Sequence, residues 1–268
     1  MALSNIERSR RFAALHTGPR AFVIPNPWDA GSAIALAGLG FQALATSSAA
    51  AAMVLGRKDG QLTRDEAIAH ARAVVQATDL PVSADLENGF GSAPADAALT
   101  IRLAGDIGLM GGSIEDAVGA GDTSAAKPKP VYDFAHAVER VAAAAEAARA
   151  LPVPFILVAR AENFVRGIDD LDDTIRHLQA FEQAGADVLF APGLPSLEAV
   201  RMVCAAVEKP VNFMVGIKPK SFTVAELESA GVRRISLATG MYRAAMAGMV
   251  TAATEVRDEG TFGYLNRL

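Results

Sequence analysis

The sequence predicts an α/β fold, a (β/α)8 or TIM barrel, built from a single domain spanning residues 1–268. Three observations point there. Eight short apolar runs alternate with amphipathic segments from one end of the chain to the other. The composition is 51% hydrophobic but only 6% aromatic, the Ala-, Val- and Leu-rich balance of helices packed around a parallel sheet. A length of 268 residues is ordinary for such a barrel.

Residues 4–15 read as an extra helix on the barrel floor. The first unit joins strand 21–24 to helix 30–37. Between them, Pro25-Asn26-Pro27-Trp28 carries none of the glycines of a doubly wound dinucleotide fold, the main rival architecture. Strand 43–46 leads into an alanine-rich stretch ending at Leu55, which is broken by Thr46, Ser47 and Ser48 and too short to span a bilayer. Helix 64–78, strand 82–85, helix 94–107 and strand 112–115 follow. Residues 117–131, rich in Gly, Asp, Ser and Pro, then form the longest irregular stretch, placed at the catalytic rim either as a lid or as a plain connector. Helix 132–150, strand 155–159, helix 171–184, strand 188–191, helix 197–207, strand 211–215, helix 224–230, strand 234–238 and helix 241–256 complete the eight units. Pro81, Pro154 and Pro210 precede strands, where a missing N–H costs little, and Gly105, Gly185 and Gly231 suit helix C-termini.

A net charge of −5 with scattered Lys and Arg argues against a nucleic-acid surface. The single cysteine, Cys204, excludes an internal disulfide and falls in a helical pattern where core packing is its expected role. The N-terminus has polar residues where a signal peptide needs an apolar core, so the chain reads as soluble and cytoplasmic, without a membrane partner.

Catalytic groups in such a barrel come from the C-terminal ends of the strands. Here two strands break abruptly into acids: Ser83-Ala84-Asp85-Leu86-Glu87-Asn88-Gly89-Phe90-Gly91, and then Ser113-Ile114-Glu115-Asp116. Carboxylates gathered on one rim need a cation or a proton to relieve their repulsion, and oxygen-only ligands favour Mg2+, or Mn2+, over zinc. The first strand offers Asn26, Trp28 and Asp29, with Trp28 a candidate substrate contact. The second offers Thr46, Ser47 and Ser48, opening a small-residue loop whose N–H groups can cradle an anion. The fifth offers Arg160, Glu162 and Asn163, and the seventh Asn212. Arg160 is either a fork for a substrate carboxylate or phosphonate, or an ion-pair partner of the acids around it. His16, His70, His136 and His177 lie in helical patterns and suit packing or surface roles. Lys218 sits in a loop beyond a glycine, where a Schiff-base lysine is not expected. Ala238-Thr239-Gly240 serves equally as a phosphate site or a tight turn.

Together these residues resemble the isocitrate lyase and phosphoenolpyruvate mutase superfamily over about residues 22–241. Pro27-Trp28-Asp29-Ala30, Thr46-Ser47-Ser48-Ala49, Leu55-Gly56-Arg57-Lys58-Asp59-Gly60, Asp85-Leu86-Glu87-Asn88-Gly89-Phe90-Gly91, Ile114-Glu115-Asp116, Ala159-Arg160 and Gly185-Ala186-Asp187 match its motifs in order and spacing. The resemblance implies a helix-swapped barrel, a homodimer or homotetramer exchanging C-terminal helices of about 241–268, that holds Mg2+ against an α-oxo acid or its enolate. It makes Asp85 the direct metal ligand with Glu87 and Glu115 assisting, and sets Asp59 near the chemistry. It also gives Ser47 and Ser48 one carboxylate end of the substrate, Arg160 the other, and Asn212 a binding role.

The chain departs from this pattern after the fourth strand. Lyases of the group carry a Lys-Lys/Arg-Cys-Gly-His loop there, whereas residues 117–130 contain neither cysteine nor histidine. Lys127 is the only substitute for the lysine of the mutase branch, and Glu162 is a candidate base in place of the missing loop. The leading expectation is a Mg2+-dependent lyase or hydrolase for a small α-oxo or α-hydroxy di- or tricarboxylate. A P–C bond enzyme and a non-catalytic α-keto acid-binding protein are the alternatives.

Overall fold

A computed structural model describes residues 3–119, 128–216 and 222–267. Lys127 and Lys218 lie outside them. Helix α1 (Asn5–Thr17) is set by a capping box in which Ser4 and Glu7 satisfy each other's backbone N–H groups. It presents Phe12 and His16 to the lower end of the barrel, where Phe12 packs with Phe22, Ile24, Ala45 and Met110. Strands β1 (Phe22–Ile24), β2 (Leu44–Ala45), β3 (Val82–Asp85), β4 (Gly111–Glu115), β5 (Ile156–Arg160), β6 (Val188–Phe190), β7 (Val211–Met214) and β8 (Arg234–Ser236) form one parallel sheet in the order β1-β8-β7-β6-β5-β4-β3-β2. Between β1 and β2 the ring is closed by Ala45 N–H donating to the Pro25 carbonyl at 3.0 Å and by Asn26 Nδ2 donating to Thr46 O at 3.0 Å. Pro25 and Pro27 have no N–H to return, so no ladder develops at this seam.

The crossover helices are α2 (Ala30–Gly38), α3 (Ser48–Val54), α4 (Arg64–Gln76), α5 (Pro94–Asp106), α6 (Phe134–Arg149), α7 (Asn163–Arg166), α8 (Leu171–Ala184), α9 (Leu197–Ala206), α10 (Val224–Ser229) and α11 (Gly240–Glu259). All eight strands and the barrel architecture stand as the sequence predicts. Two helices are additional: α3 occupies a stretch read as a loop, and α7 one to which the sequence assigns no element. Ser47 caps α3 by accepting from Ala50 N–H, and the alanine run behind it has the highest helix propensity available. Gly105 is also not a C-cap. It lies inside α5, where an added Cβ would meet Leu151 Cδ2 at 2.6 Å, so its job is close packing; Gly108 at φ +89° ends the helix instead. None of the 20 residues of α11 is buried, and Met249, Val250 and Val256 are exposed on it. Among the described residues no helix is long and apolar enough to cross a membrane.

Candidate active site

The parallel register brings the acids together. Glu115, the last residue of β4, pairs with Arg160, the last of β5, and Asp85 ends β3 beside them. A cavity of about 640 Å3 opens above, lined by Asp59, Asp85, Glu87, Glu115, Arg160 and Glu162 on one side and by Asn212, Met214, Arg234 and Ser236 on the other. Arg160 is the hub. Its Nη1 stands 2.9 Å from Asp85 Oδ1 and 3.0 Å from Glu115 Oε2, while Nε and Nη2 hold Glu162 Oε1 at 3.0 and 2.9 Å. All three guanidinium nitrogens are thus engaged by acids. The ion-pair role weighed for Arg160 is the one the geometry displays.

Asp85 is further held from the start of α3. Its Oδ2 accepts from Ser48 N–H at 3.2 Å and lies 2.9 Å from Ser48 Oγ, which also stands 3.1 Å from Asp59 Oδ1. One hydroxyl carries one proton and cannot donate to both acids. Burial of the inner face of Asp59, then repulsion from Asp85, raises the Asp59 pKa, while the Ser48 hydroxyl and Arg160 pull it down. Ser47 therefore opens helix α3 and Ser48 fastens Asp85 and Asp59, in a stretch the sequence suggests as a loop.

Glu87 adopts φ 49°, a left-handed conformation that costs a non-glycine residue roughly 1–3 kcal/mol. The surrounding turn over-determines it. Glu115 N–H donates to Glu87 O at 3.0 Å, Arg64 Nη2 donates to Gly89 O at 3.1 Å, and the buried Arg140 donates to the carbonyls of Asn88, Gly91 and Ser92. The Glu87 side chain is 4% exposed, and its Oε1 has no partner among the described residues. Burial first, then Asp85 and Asp59, pushes its pKa up to about 8. Glu115 and Glu162 are raised as well, burial outweighing the pull of Arg160.

The other candidates divide. Asn212 is buried on the cavity wall, donating to Ser236 Oγ at 3.2 Å and leaving Oδ1 unpaired. Trp28 is not on that wall; its ring meets Tyr242 edge-on at 5.7 Å and its carbonyl bonds His70 Nε2. Cys204 packs against the core, and burial raises its thiol to about 11. His177 is buried between Phe134 and Phe181 with Nδ1 3.3 Å from Asp116 Oδ2, and Asp116 Oδ1 accepts the Glu162 N–H. Arg234, which the sequence reading passed over, lies in the cavity interior.

Among the described residues no three His, Cys, Asp or Glu side chains stand close enough to cage a metal ion, so Asp85, Glu87 and Glu115 are not a ready-made tridentate site. Their chemistry nevertheless fits a hard cation. Five carboxyl groups, Asp59, Asp85, Glu87, Glu115 and Glu162, gather on the side of the cavity that carries Arg160, and Glu87 Oε1 is an orphaned buried oxygen. Mg2+ is commonly held by one or two carboxylates, with water and substrate oxygens completing its shell.

The profile of the phosphoenolpyruvate phosphomutase family matches residues 12–257. The chain belongs to the isocitrate lyase and phosphoenolpyruvate mutase superfamily. It is an enzyme of that superfamily's lyase kind. A 2-methylisocitrate lyase of Escherichia coli K12 is 29% identical over 94% of this chain and 85% of its own. A crystal structure from Burkholderia cenocepacia J2315, described as a "putative lyase/mutase", is 49% identical with a TM-score of 0.93, covering 98% of this chain and 92% of that one. A structure of 2,3-dimethylmalate lyase is 28% identical with a TM-score of 0.84, covering 95% and 88%.

Proposed function

We propose that this superfamily member is a divalent-cation-dependent carbon–carbon lyase for a small α-oxo or α-hydroxy di- or tricarboxylate, of the oxaloacetate or methylisocitrate kind. The observation that carries the reading is the acid ring around Arg160, with Glu87 Oε1 unpaired and Glu87, Glu115, Glu162 and Asp59 all raised in pKa. Such a ring is short of positive charge, and a cation with an anionic substrate completes it. Asp85 and Glu87 would hold the ion, with Glu115 behind Arg160. When bound, Mg2+ or Mn2+ supplies Lewis-acidic stabilisation to the α-oxo carboxylate end.

The chain's own residues supply the rest. Ser48 and Arg160 fix Asp85 from two directions, so no reorganisation is needed when charge develops. Arg160 and the Asp116 contact to its backbone orient Glu162 towards the cavity. In the cleavage direction the Glu162 carboxylate takes the hydroxyl proton of an α-hydroxy substrate, or of the water adduct of an α-oxo one, and that oxygen becomes a carbonyl. The adjacent C–C bond breaks, and its electron pair passes to the leaving fragment as an enolate. Asp59, whose pKa is raised by burial and by Asp85, is the acid placed to return a proton to the enolate carbon. Lys58, Lys129, Arg166 and Arg243 on the cavity wall attract the anionic substrate.

P–C bond chemistry is the second reading, favoured by the identity of the matching profile. The same proposal makes the protein a cytoplasmic homodimer or homotetramer in which residues 241–268 pack on a partner subunit, supported by the exposed apolar side chains of α11. Light scattering together with cross-linking through α11 tests the assembly. The reaction is tested by assaying oxaloacetate, 2-methylisocitrate, isocitrate, 2,3-dimethylmalate and phosphonopyruvate with Mg2+ and with chelator. Release of pyruvate, glyoxylate or oxalate that chelation abolishes supports the lyase reading, phosphate release supports the second, and turnover of none rejects both.

A further inference from the structure

Arg234 is the first residue of β8, in register with Asn212 of β7, and it is 5% exposed. Its guanidinium stands over the Phe12 ring of α1 at 5.9 Å, and its single hydrogen bond, Nη2 to Ser83 Oγ, is a long 3.4 Å. Nε and Nη1 have no partner among the described residues. No acid compensates it there. The charged-capable neighbour is His16, whose imidazole is pushed down to about 3, by burial first and Arg234 second, and is therefore neutral. Burial lowers the Arg234 pKa only to about 10, so at neutral pH an unpaired cation sits at the bottom of the cavity.

A buried arginine kept for structure looks different in this same molecule. Arg140 spends its N–H groups on loop carbonyls, and Arg160 on three acids. Arg234 has a planar fork with free donors, and the side chains lining the cavity with it include the small or polar Ala45, Ser113, Asn212 and Ser236. A carboxylate matches that fork in shape and charge.

We propose that Arg234 forms an anion subsite on the floor of the barrel, which receives the substrate carboxylate furthest from the acidic rim. Its assignment to the substrate rests on the lyase reading above; the anion site itself does not. The cavity then holds two kinds of charged site, the acid cluster around Arg160 at the ends of β3, β4 and β5 and an unpaired cation at the floor. A dicarboxylate enters in one orientation, and a monocarboxylate lacks the second anchor. The subsite sets specificity and takes no part in proton transfer.

Two arms test this. In the first, metal-free wild type and Arg234→Met are heated in increasing formate, a probe that needs no reaction. Wild type gains stability with formate and the variant does not; an equal response in both overturns the subsite. In the second, oxalate and oxaloacetate are titrated with Mg2+ present. Arg234→Met weakens oxaloacetate by roughly 30-fold or more, the usual loss when one partner of a buried charge pair is removed, while oxalate changes less than about twofold. Equal losses, or none, assign the floor to free anions and overturn the substrate role. If wild type binds neither compound, the lyase reading fails while the formate arm still decides the anion site. Failure of both Arg234→Met and Arg234→Gln to fold makes the side chain structural and overturns the proposal.

Discussion

Arg160 and Arg234 are both buried, both carried on barrel strands and both facing one cavity, yet their surroundings are opposite. Around Arg160 the ends of β3, β4 and β5 supply Asp85 and Glu115, with Glu162 just beyond, and the acids raise its pKa against the cost of burial. Around Arg234 the strands supply hydroxyls, amides and an aromatic ring, and burial acts unopposed. The same side chain is a component of the site in the first place and an open receptor in the second. What distinguishes them is the number of acids that the neighbouring strand ends deliver, a property of register rather than of residue type.

The largest effect should come from breaking the acidic side. Asp85→Ala removes the acid shared by Arg160 and Ser48 and the first candidate cation ligand. Turnover of the best substrate should fall by about 10³-fold or more, consistent with losing a preorganised electrostatic group. Activity within tenfold of wild type would show that the rim is not where charge is stabilised. Glu162→Gln comes next. Loss of a positioned acid–base group is worth about 10²–10⁴-fold, and here it should lower kcat with KM nearly unchanged. A variant with normal kcat removes Glu162 from the chemistry.

Much of the acidic side was legible in the sequence, because apolar runs ending in Asp85, Glu115 and Arg160 carry their positions with them. What those residues bond to was not legible. Whether Arg160 reaches substrate or acids depends on the Glu115–Arg160 register, and no local pattern encodes register between strands 45 residues apart. The helix after Ser47 was missed although a serine before an alanine run is itself a start signal. Arg234 carried a signal too. In Val232-Arg233-Arg234-Ile235 the alternation of a strand sends one of two adjacent arginines inward, which is costly enough to be worth noticing.

Arg160→Met separates the two arginines by stability. It strands Glu162, which is buried, and the partly buried Asp85 and Glu115, and breaking a buried pair costs about 3–5 kcal/mol. Urea unfolding should show that loss, partly relieved below the raised pKa values of Glu115 and Glu162, where those acids protonate. Glu87 gives a pH signature of its own. Folded, it titrates near 8; unfolded, near 4.5. Between those values the folded state keeps a proton that the unfolded chain has lost, so stability falls as pH rises through this window. The melting temperature of the metal-free protein should decline from pH 5 to 8, Glu87→Gln should flatten the slope, and Mg2+ should reverse it with proton release. A flat profile in wild type would mean that Glu87 is solvated or paired.

The smallest effect is the most diagnostic. If Arg234 were a structural ion-pair partner like Arg160, Arg234→Met would cost several kcal/mol as well. It has no acid to strand, and replacing an unpaired buried charge with an apolar chain of similar length removes a desolvation cost while keeping contact with Phe12. In metal- and anion-free buffer the variant should therefore unfold within about 1 kcal/mol of wild type, or above it. The gap between Arg160→Met and Arg234→Met, measured by urea unfolding under one set of conditions, is the comparison in its sharpest form. Equal losses would mean that the two guanidiniums are held in the same way, and the division of the cavity into an acidic rim and a receptive floor would fail.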